Sequence, residues 1–246
     1  MSYFNIIKLN AISSTNDFLK QKHISAKCKD GDIIWSINQT EGKGQRKNKW
    51  LSEKGKSLTF SIYKQFDQLI FTNSFVLSSC VSLSIVKTLK KIGLKKVHIK
   101  WPNDILAGNK KIGGILIENI VKANYIKSSI IGIGLNINEE KFNELPNATS
   151  VFLELKKKFE LDMILDILIN ELFKSFKELN NEENKIINSF SSFLWKKNDY
   201  ASFKNKNNYF RAKLKGVKIS GNLILEFDNG SISEFNSNEI TMNYND

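Results

Sequence analysis

The chain of 246 residues is poor in several residue types. It has only two cysteines, Cys28 and Cys80, which are too few for a disulfide framework or a four-cysteine zinc site. A reducing compartment is therefore expected, and Cys80, which falls in an apolar helical pattern, is predicted to be a core residue. No apolar run approaches the roughly 18 residues of a membrane span, and the start lacks a signal-peptide pattern. We expect a cytoplasmic protein with no membrane association.

Arginine is also scarce, because only Arg46 and Arg211 accompany the lysines that give a formal net charge of +12. A basic chain favours nucleic-acid binding, since cations bind phosphate backbones through counterion release. Here, however, the lysines are scattered, asparagine and isoleucine abound, and the aromatic residues fall at core-like positions. This composition is typical of an AT-rich genome and a lysine-rich solvated surface. We expect no specific DNA binding; an acidic partner is the alternative use of the charge.

The length suits one large domain, or one large domain and a small one. Early strands are predicted in SYFNIIKL, GDIIWSINQ and SLTFSIYK, the last with a half-buried alternation, and the hydroxyls of SSTN are predicted to cap a short helix. Further helices are predicted at about Asn73–Ile92, with Gly93 as a stop, and at about Glu160–Leu179 and Asn181–Trp195. Between the helices, three segments are predicted to be strands: KVHIKW and two segments with nearly continuous branched apolar residues. The two apolar segments are predicted to be central strands, covered on both faces of the sheet.

The character of the chain changes at about residue 197. Short alternating segments follow, joined by turns rich in asparagine, glycine and serine, which predicts a small all-β unit. We therefore predict two domains, residues 1–196 and 197–246.

A loop with the sequence EGKGQRKNKW is the first candidate site. Gly42 and Gly44 allow a ligand to approach the backbone, and the neighbouring cations suit a polyphosphate. Those cations are Lys43, Arg46, Lys47 and Lys49. The spacing matches neither a Walker loop nor a GxGxxG fingerprint, and a charged surface loop is the alternative interpretation.

The segment KWPNDILAGNKKIGGILIE, Lys100 to Glu118, is the second candidate. Pro102 fixes the chain, and Asn103 and Asp104 can turn back on their own backbone and hold the carboxylate in place. Lys111 lies across a predicted tight turn, which would return its ammonium group to Asp104 on the neighbouring strand. A carboxylate and an ammonium in one pocket suit phosphoryl or adenylyl transfer. A β-hairpin with an incidental salt bridge remains the alternative.

Glycines within strands form the third signal. Gly113 and Gly114 follow Lys111, while Gly132 and Gly134 alternate in GIGLNIN. Glycine weakens a strand, so these positions indicate that something packs against bare backbone. Asn136 adds an amide that could read an adenine edge.

Taken in order, the motifs SSTN, Q..GKGQRKNKW, KWPNDI…KKIGGILIE, GIGLNIN and LPNATS resemble the motif series of biotin protein ligases. The resemblance runs from about Ile12 to the end of the chain, and KWPNDI…K.GGIL.E is specific to that family. It implies an α+β fold, with a mixed, largely antiparallel sheet and flanking helices of the class II synthetase-like type, followed by a small SH3-like β-barrel. The chain would be a short form without an N-terminal helix-turn-helix domain.

The resemblance also implies an activity. Biotin and Mg²⁺-bound ATP would form biotinyl-5′-AMP, and a lysine of a biotin carboxyl carrier protein would then accept the biotin. The nearest alternative is a lipoate protein ligase, against which the forms KWPND and GKGQ argue. The resemblance leaves both a monomer and a homodimer open.

Residue roles carry over from the matching motif positions. Lys111, Asp104 and Arg46 match catalytic positions. Lys111 matches the lysine at the biotin carboxylate and phosphate, and Asp104 matches an aspartate that assists the metal or the incoming carrier lysine. The positions that match ligand contacts are Ser14, Thr15, Asn16, Gln39, Gly42, Lys43, Gly44, Gln45, Trp50, Lys100, Asn103, Gly113, Gly114, Gly132, Gly134 and Asn136. No residue is predicted as a protein ligand of a metal.

One motif departs from the family pattern. Many members have GRGRRGR where this chain has GKGQRKN, so Gln45 replaces an arginine and Lys47 replaces a glycine. The family arginine touches the adenylate phosphate. Arg46 and Lys43 are the alternatives for that contact.

Overall fold

The computed structural model describes residues 3–70, 74–143, 145–179, 182–206 and 208–244, without the side chains of residues 47 and 67–70. Its strands are β1 (Asn5–Leu9), β2 (Asp32–Ser36), β3 (Ser57–Ile70), β4 (Val97–Lys100), β5 (Asp104–Ala107), β6 (Lys110–Lys122), β7 (Tyr125–Asn136), β8 (Tyr200–Asn205), β9 (Asn208–Val217), β10 (Leu223–Glu226), β11 (Ile232–Phe235) and β12 (Thr241–Met242). Its helices are α1 (Thr15–Ile24), α2 (Ser74–Lys91), α3 (Val151–Leu155), α4 (Leu161–Glu178) and α5 (Glu183–Ser192).

The chain divides into two compact units. The first comprises Met1–Phe71 and Lys110–Asn170, and the second comprises Thr72–Asn109 and Glu171–Asp246. None of the helices in the described ranges is long and apolar enough to cross a membrane.

The first unit contains strands in the order β1-β2-β3-β7-β6. Strands β1 and β2 are parallel, whereas the β2–β3, β3–β7 and β7–β6 pairs are antiparallel. Helix α1 packs on this sheet through Leu19, which is fully buried against Ile34, Tyr63 and Ile130. The side chain of Ser14 accepts a hydrogen bond from the Asp17 backbone N–H, which confirms the predicted hydroxyl cap.

Strand β3 differs from its prediction. We expected a half-buried strand, but every residue from Ser57 to Tyr63 is buried. Its alternating hydroxyls can be buried because they are hydrogen-bonded, as Thr59 Oγ1 is to the Ser36 carbonyl (2.9 Å). The polar face of β3 therefore points at other protein groups rather than at solvent.

The second unit contains α2, α5 and the β4–β5 hairpin. Helix α2 matches the predicted segment, except that Asn73 lies outside the described residues; its last residue is Lys91, and the predicted stop Gly93 follows with φ of 111°. Cys80 is 1% exposed, which confirms its place in the core. Burial raises the pKa of its thiol to about 12, so this cysteine is chemically inert.

The second unit also contains an antiparallel sheet in the order β11-β10-β9-β8-β12. Its turns include Gly221 and Gly230, whose φ values of 90° and 79° suit glycine. All five strands lie beyond residue 196, in the segment predicted to be all-β. The two sheets and their helices confirm the predicted α+β class with a largely antiparallel sheet. The boundary between residues 196 and 197 remains a prediction.

Candidate active site

Three glycines form a bare patch on one face of the first unit's sheet. In the β6–β7 register Gly114 lies opposite Gly134, and Leu116 lies opposite Gly132. In the β7–β3 register the same two glycines of β7 lie opposite Thr59 and Ser61. We call Gly114, Gly132 and Gly134 the glycine patch. Because successive residues of a strand face opposite sides, Gly113 faces the other side of the sheet.

Two side chains cover the glycine patch. The indole of Trp50 lies on it so closely that a Cβ added at Gly134 would be 2.4 Å from Trp50 Cε2, and one at Gly114 would be 3.3 Å from Trp50 Cζ3. Asn16 covers the other end, since a Cβ at Gly132 would be 2.4 Å from Asn16 Oδ1. The predicted close approach to bare backbone is therefore present, and protein side chains make it.

A hydrogen-bonded chain of side chains runs beside the glycine patch. Gln39 Oε1 accepts from the Thr15 backbone N–H (2.8 Å), Thr15 Oγ1 lies 2.6 Å from Ser61 Oγ, and Ser61 donates to Asn16 Oδ1 (2.6 Å). Asn16 Nδ2 then donates to Glu118 Oε2 (2.9 Å). Thr15 Oγ1 also donates to Gln39 Oε1 (3.0 Å), and because a hydroxyl has one hydrogen, Thr15 can donate to Gln39 or to Ser61 but not to both at once. These contacts fix the direction of the Asn16 amide.

The side chains around the glycine patch are buried. Ser14, Thr15 and Asn16 are each less than 5% exposed, and so are Thr59 and Ser61, which lie opposite Gly134 and Gly132. The position of this SSTN segment follows from its local structure, because it forms the N-cap and first turn of α1. Helix α1 is anchored by Leu19, which directs its first turn at the sheet. The amide and hydroxyl groups of the segment thus form a rigid polar wall.

Lys111 is the second residue of strand β6, and its side chain extends toward Gly114 of the glycine patch. Its Nζ would lie 3.5 Å from a Cβ added at Gly114, and it lies 5.8 Å from the centroid of the Trp50 ring. The backbone of Lys111 is held by the LPNATS segment, since its N–H donates to the Asn147 carbonyl (2.7 Å) and its carbonyl accepts from Thr149 (2.8 Å). The structure therefore places a cation beside the bare backbone and the indole.

The glycine loop, residues 41–50, closes on itself. The Trp50 N–H donates to the Gly42 carbonyl (2.9 Å), and the Gly44 N–H donates to the Asn48 carbonyl (2.7 Å). A Cβ at Gly42 would be 2.5 Å from the Trp50 carbonyl oxygen, so glycine is required there. Arg46 is exposed in a left-handed conformation with φ of 55°.

Lys43, one of the predicted phosphate contacts, forms an ion pair with Asp17. Its Nζ lies 2.7 Å from Asp17 Oδ2, and this hydrogen bond raises the pKa of the lysine. Gln45 is partly exposed. A phosphate that reached Lys43 would have to compete with Asp17.

A cavity of about 1070 Å³ lies against the glycine loop. Its lining includes Gln39, Trp50, Glu118 and Glu139, together with residues 42–44 of the loop. This volume suits a nucleotide-sized ligand. The cavity lies entirely in the first unit, so its geometry depends on the glycine loop, β6 and the segment after β7.

Asn136, at the end of β7, is 4% exposed and its amide is partly engaged by the protein. Asn136 Nδ2 donates to the Thr149 carbonyl (3.0 Å), and Ser57 Oγ lies 3.4 Å from Asn136 Oδ1. Ser57 is also 2.6 Å from Glu139 Oε1, and Glu139 is 2% exposed. Burial raises the pKa of Glu139, whose Oε2 has no hydrogen-bond partner within the described ranges.

The segment KWPND, Lys100 to Asp104, belongs to the second unit. Lys100 and Asp104 are register partners in the β4–β5 hairpin, and the Trp101–Pro102 peptide bond between them is cis. Lys100 is 6% exposed, while Asn103 and Asp104 are partly buried. Asp104 and Lys111 belong to different units, so the predicted pairing of their charges remains a prediction.

Comparison with known proteins identifies the family. The model of the biotin/lipoate A/B protein ligase family matches residues 9–136, just over half of the chain. The chain belongs to this family. The matched range contains the glycine patch, the glycine loop, the first turn of α1, Lys111 and the KWPND segment.

Individual relatives agree. The bifunctional ligase/repressor BirA of Escherichia coli K12 is 31% identical over 140 residues, which are 57% of this chain and 43% of BirA. Biotin–protein ligase 2 of Arabidopsis thaliana is 29% identical over 185 residues, 68% of this chain and 55% of that protein. The chain thus matches about half of the length of these curated relatives. The structure of the Aquifex aeolicus biotin protein ligase with biotin and ATP superimposes with a TM-score of 0.82 at 24% identity, covering 97% of this chain and 98% of that one.

Sequence reasoning missed several residues that contact the predicted site residues within each unit. Ser61 and Glu118 complete the hydrogen-bonded chain, Glu139 lines the cavity and Tyr244 contacts Asp104. A signal existed for two of them, because Ser61 belongs to the alternating hydroxyls of β3 and Glu118 shares its face with Gly114 four residues earlier. No local pattern marks Tyr244.

Proposed function

We propose that this chain catalyses the ATP-dependent biotinylation of a lysine on a biotin carboxyl carrier protein, through biotinyl-5′-AMP. The observation that carries the proposal is the glycine patch. The polar wall, with Gln39 hydrogen-bonded to it, lies at one end of the patch, and Lys111 and Trp50 lie at the other. Membership of the biotin/lipoate ligase family supports the same chemistry.

The arrangement suits biotin in three respects. The hydroxyl and amide groups of the polar wall can pair with a neutral ureido head, which presents both N–H donors and a carbonyl acceptor. The glycine patch carries no side chains of its own, so an aliphatic chain can lie flat on the sheet once the Trp50 indole moves off it. Lys111 then provides a cation for the carboxylate at the end of that chain.

The first step joins biotin to AMP. A biotin carboxylate oxygen attacks the α-phosphorus of ATP, the bond from that phosphorus to the bridging oxygen breaks, and pyrophosphate leaves. The Lys111 ammonium stabilises the negative charge that builds up in this transition state, and Arg46 on the glycine loop supplies the second cation. Mg²⁺ enters as the ATP complex, and no described group of three acidic, histidine or cysteine residues could hold a metal by itself.

The second step transfers biotin to the carrier. The carrier lysine amine attacks the anhydride carbonyl carbon, AMP leaves, and the amine gives up its proton. Asp104 is the proposed helper of the incoming lysine. Trp50 and the glycine loop would cover the anhydride and exclude water until the carrier arrives.

Further parts of the proposal concern the setting of the reaction. We propose a catalytic domain of residues 1–196 and an SH3-like domain of residues 197–246. The protein would work in the cytoplasm, without a membrane and without sequence-specific DNA binding. Both a monomer and a homodimer are compatible with the proposed activity.

The deciding experiment compares biotin with lipoate in ATP–pyrophosphate exchange, because the family includes ligases for both acids. Biotin should stimulate the exchange, and mass spectrometry should detect biotinyl-5′-AMP. Lipoate should do neither. Exchange with lipoate alone would transfer the assignment to lipoate ligation, and exchange with neither acid would remove the proposed function.

A further inference from the structure

Tyr244 contacts both charged residues of the KWPND segment. Its hydroxyl donates to Asp104 Oδ2 at 2.6 Å, and Lys100 Nζ lies 4.2 Å from the centroid of its ring. Lys100 and Asp104 are register partners in the β4–β5 hairpin, so one tyrosine spans the pair. All three residues lie in the second unit.

The position of Tyr244 is held by the strand that precedes it. Met242, at the end of β12, is 2% exposed and pairs with Phe203, and the Asn243 N–H donates to the Ser202 carbonyl (2.9 Å). The Tyr244 ring also lies 6.3 Å from the ring of Trp195. These contacts leave the hydroxyl little freedom to point elsewhere.

A second tie joins the hairpin to the small sheet of the same unit. Trp101 Nε1 donates to the Gly221 carbonyl at 2.9 Å, and Gly221 lies in the turn before β10. Residues that adjoin the strands of the small sheet, Gly221 and Tyr244, therefore contact three of the five KWPND residues: Lys100, Trp101 and Asp104.

We propose that Tyr244 is a positioning residue for the ligation reaction, whose hydroxyl orients the Asp104 carboxylate and whose ring orients the Lys100 ammonium. The inference rests on the proposed function. A hydrogen bond of this length to a carboxylate is charge-assisted and strong, and it restricts rotation of the carboxylate about its Cβ–Cγ bond. The ring face attracts the ammonium electrostatically, which limits the positions of the lysine.

The hydroxyl remains a donor over the working range of pH. Burial, followed by the negative charge and the hydrogen bond of Asp104, raises the pKa of Tyr244 far above its ordinary value of 10.0. A merely structural role would need only the packing of the ring. The hydroxyl would then be dispensable, and this difference makes the two roles separable.

The test compares Tyr244→Phe with the wild type in single-turnover biotin transfer to a carrier. Phenylalanine keeps the ring contact with Lys100 and loses only the hydrogen bond to Asp104. Since hydrogen bonds to charged groups contribute about 1.5–3 kcal/mol, the rate of the step served by Asp104 should fall about 10- to 100-fold. The melting temperature should fall by a few degrees, because the same hydrogen bond also stabilises the fold, while KM for biotin should not change.

Tyr200→Phe is the matched control, because the Tyr200 hydroxyl is also hydrogen-bonded to a carboxylate, that of Asp228, but on the exposed face of β8. Its rate should equal that of the wild type. A double-mutant cycle with Asp104→Asn tests whether Tyr244 acts through Asp104. In the Asp104→Asn background, Tyr244→Phe should cause almost no further loss of the transfer rate. Additive losses would overturn the inference, as would a wild-type rate for Tyr244→Phe.

A titration that needs no activity separates this inference from the proposed function. Ultraviolet difference spectra of wild type against Tyr244→Phe isolate the ionisation of Tyr244, and Asp104→Asn should move that ionisation to lower pH. An unmoved titration would show that the contact is not made. If the wild type forms no biotinyl-5′-AMP, the proposed function fails, whereas an active wild type with an unimpaired Tyr244→Phe variant contradicts only the role of Tyr244.

Discussion

Replacing Gly134 by alanine should separate folding from catalysis. The added Cβ would lie 2.4 Å from Trp50 Cε2 and 2.7 Å from Trp50 Cζ2, where ordinary contact begins at 3.4 Å. The indole must therefore recede by about 1 Å, since carbon atoms repel steeply inside their contact distance. Because the Trp50 N–H is bonded to the Gly42 carbonyl, the shift will be passed to the glycine loop.

The expected effects differ in size. Overpacking costs about 1–3 kcal/mol, and alanine regains about 0.5–1 kcal/mol over glycine within a strand, so the free energy of unfolding should fall by no more than about 2.5 kcal/mol. Catalysis should suffer more, because a displacement of about 1 Å near a reacting group can reduce the rate about 10²-fold. Urea denaturation and biotin-dependent ATP–pyrophosphate exchange would measure the two quantities.

Two controls sharpen the experiment. Gly114→Ala places its Cβ 3.3 Å from Trp50 Cζ3, which requires a shift of only a few tenths of an ångström, so its free energy of unfolding should fall far less. In a Trp50→Ala background the clash at Gly134 disappears, and Gly134→Ala should lower the free energy of unfolding no further. A wild-type exchange rate for Gly134→Ala, or an equal loss of stability in the Trp50→Ala background, would refute the reasoning.

Three further predictions concern charge. Lys111→Ala should slow adenylate formation about 10²–10³-fold, because the transition state loses its nearest cation; a single-turnover rate equal to that of the wild type would contradict this role. Trypsin should cut the basic loop Glu41–Lys49 quickly in the free protein and slowly with biotin and ATP, since phosphate charge would neutralise cations that repel one another; equal cleavage would mean that the loop does not respond to ligand. Asp32 is 1% exposed, and its Oδ2 lies 2.6 Å from Lys22 Nζ. Burial is the largest single influence on its pKa and raises it. Hydrogen bonds from Lys22, Asn5 and the Lys29 backbone together outweigh burial, so the pKa is lowered from its ordinary value of 3.8. Its folded pKa is thus lower than its unfolded pKa, so its stabilisation is present at neutral pH and lost as pH falls through the folded pKa. Asp32→Asn should therefore cost about 3 kcal/mol of the free energy of unfolding near pH 7 and much less in acid, and a cost independent of pH would contradict the assignment.

Local patterns in the sequence were sufficient to predict most of the helices and strands. The N-cap at Ser14 and the stop at Gly93 depend on residues within one turn, and their signals are visible in a short window. The motif series likewise indicated the family, which the comparison with known proteins confirmed. Helix α3, with five residues, was missed because it is too short to show a period.

Strand β3 shows where such patterns fail. The alternating hydroxyls of β3 predicted one side facing solvent, but Thr59 and Ser61 on that side are buried. Alternation identifies two faces of a strand and does not say what covers each of them. That information resides in α1 and the glycine loop, which pack on this face.

The sequence by itself determined which residue types were available to the site: glycines in strands, hydroxyls and amides at a helix start, and isolated cations. Only the tertiary structure decided their grouping, because strand register sets Gly114 opposite Gly134, and Glu118 reaches Asn16 across 102 positions of the chain. The contact of Tyr244 with Asp104 spans 140 positions. Such contacts form only when distant segments pair and pack, and their free energy comes from that packing rather than from any preference of the local chain.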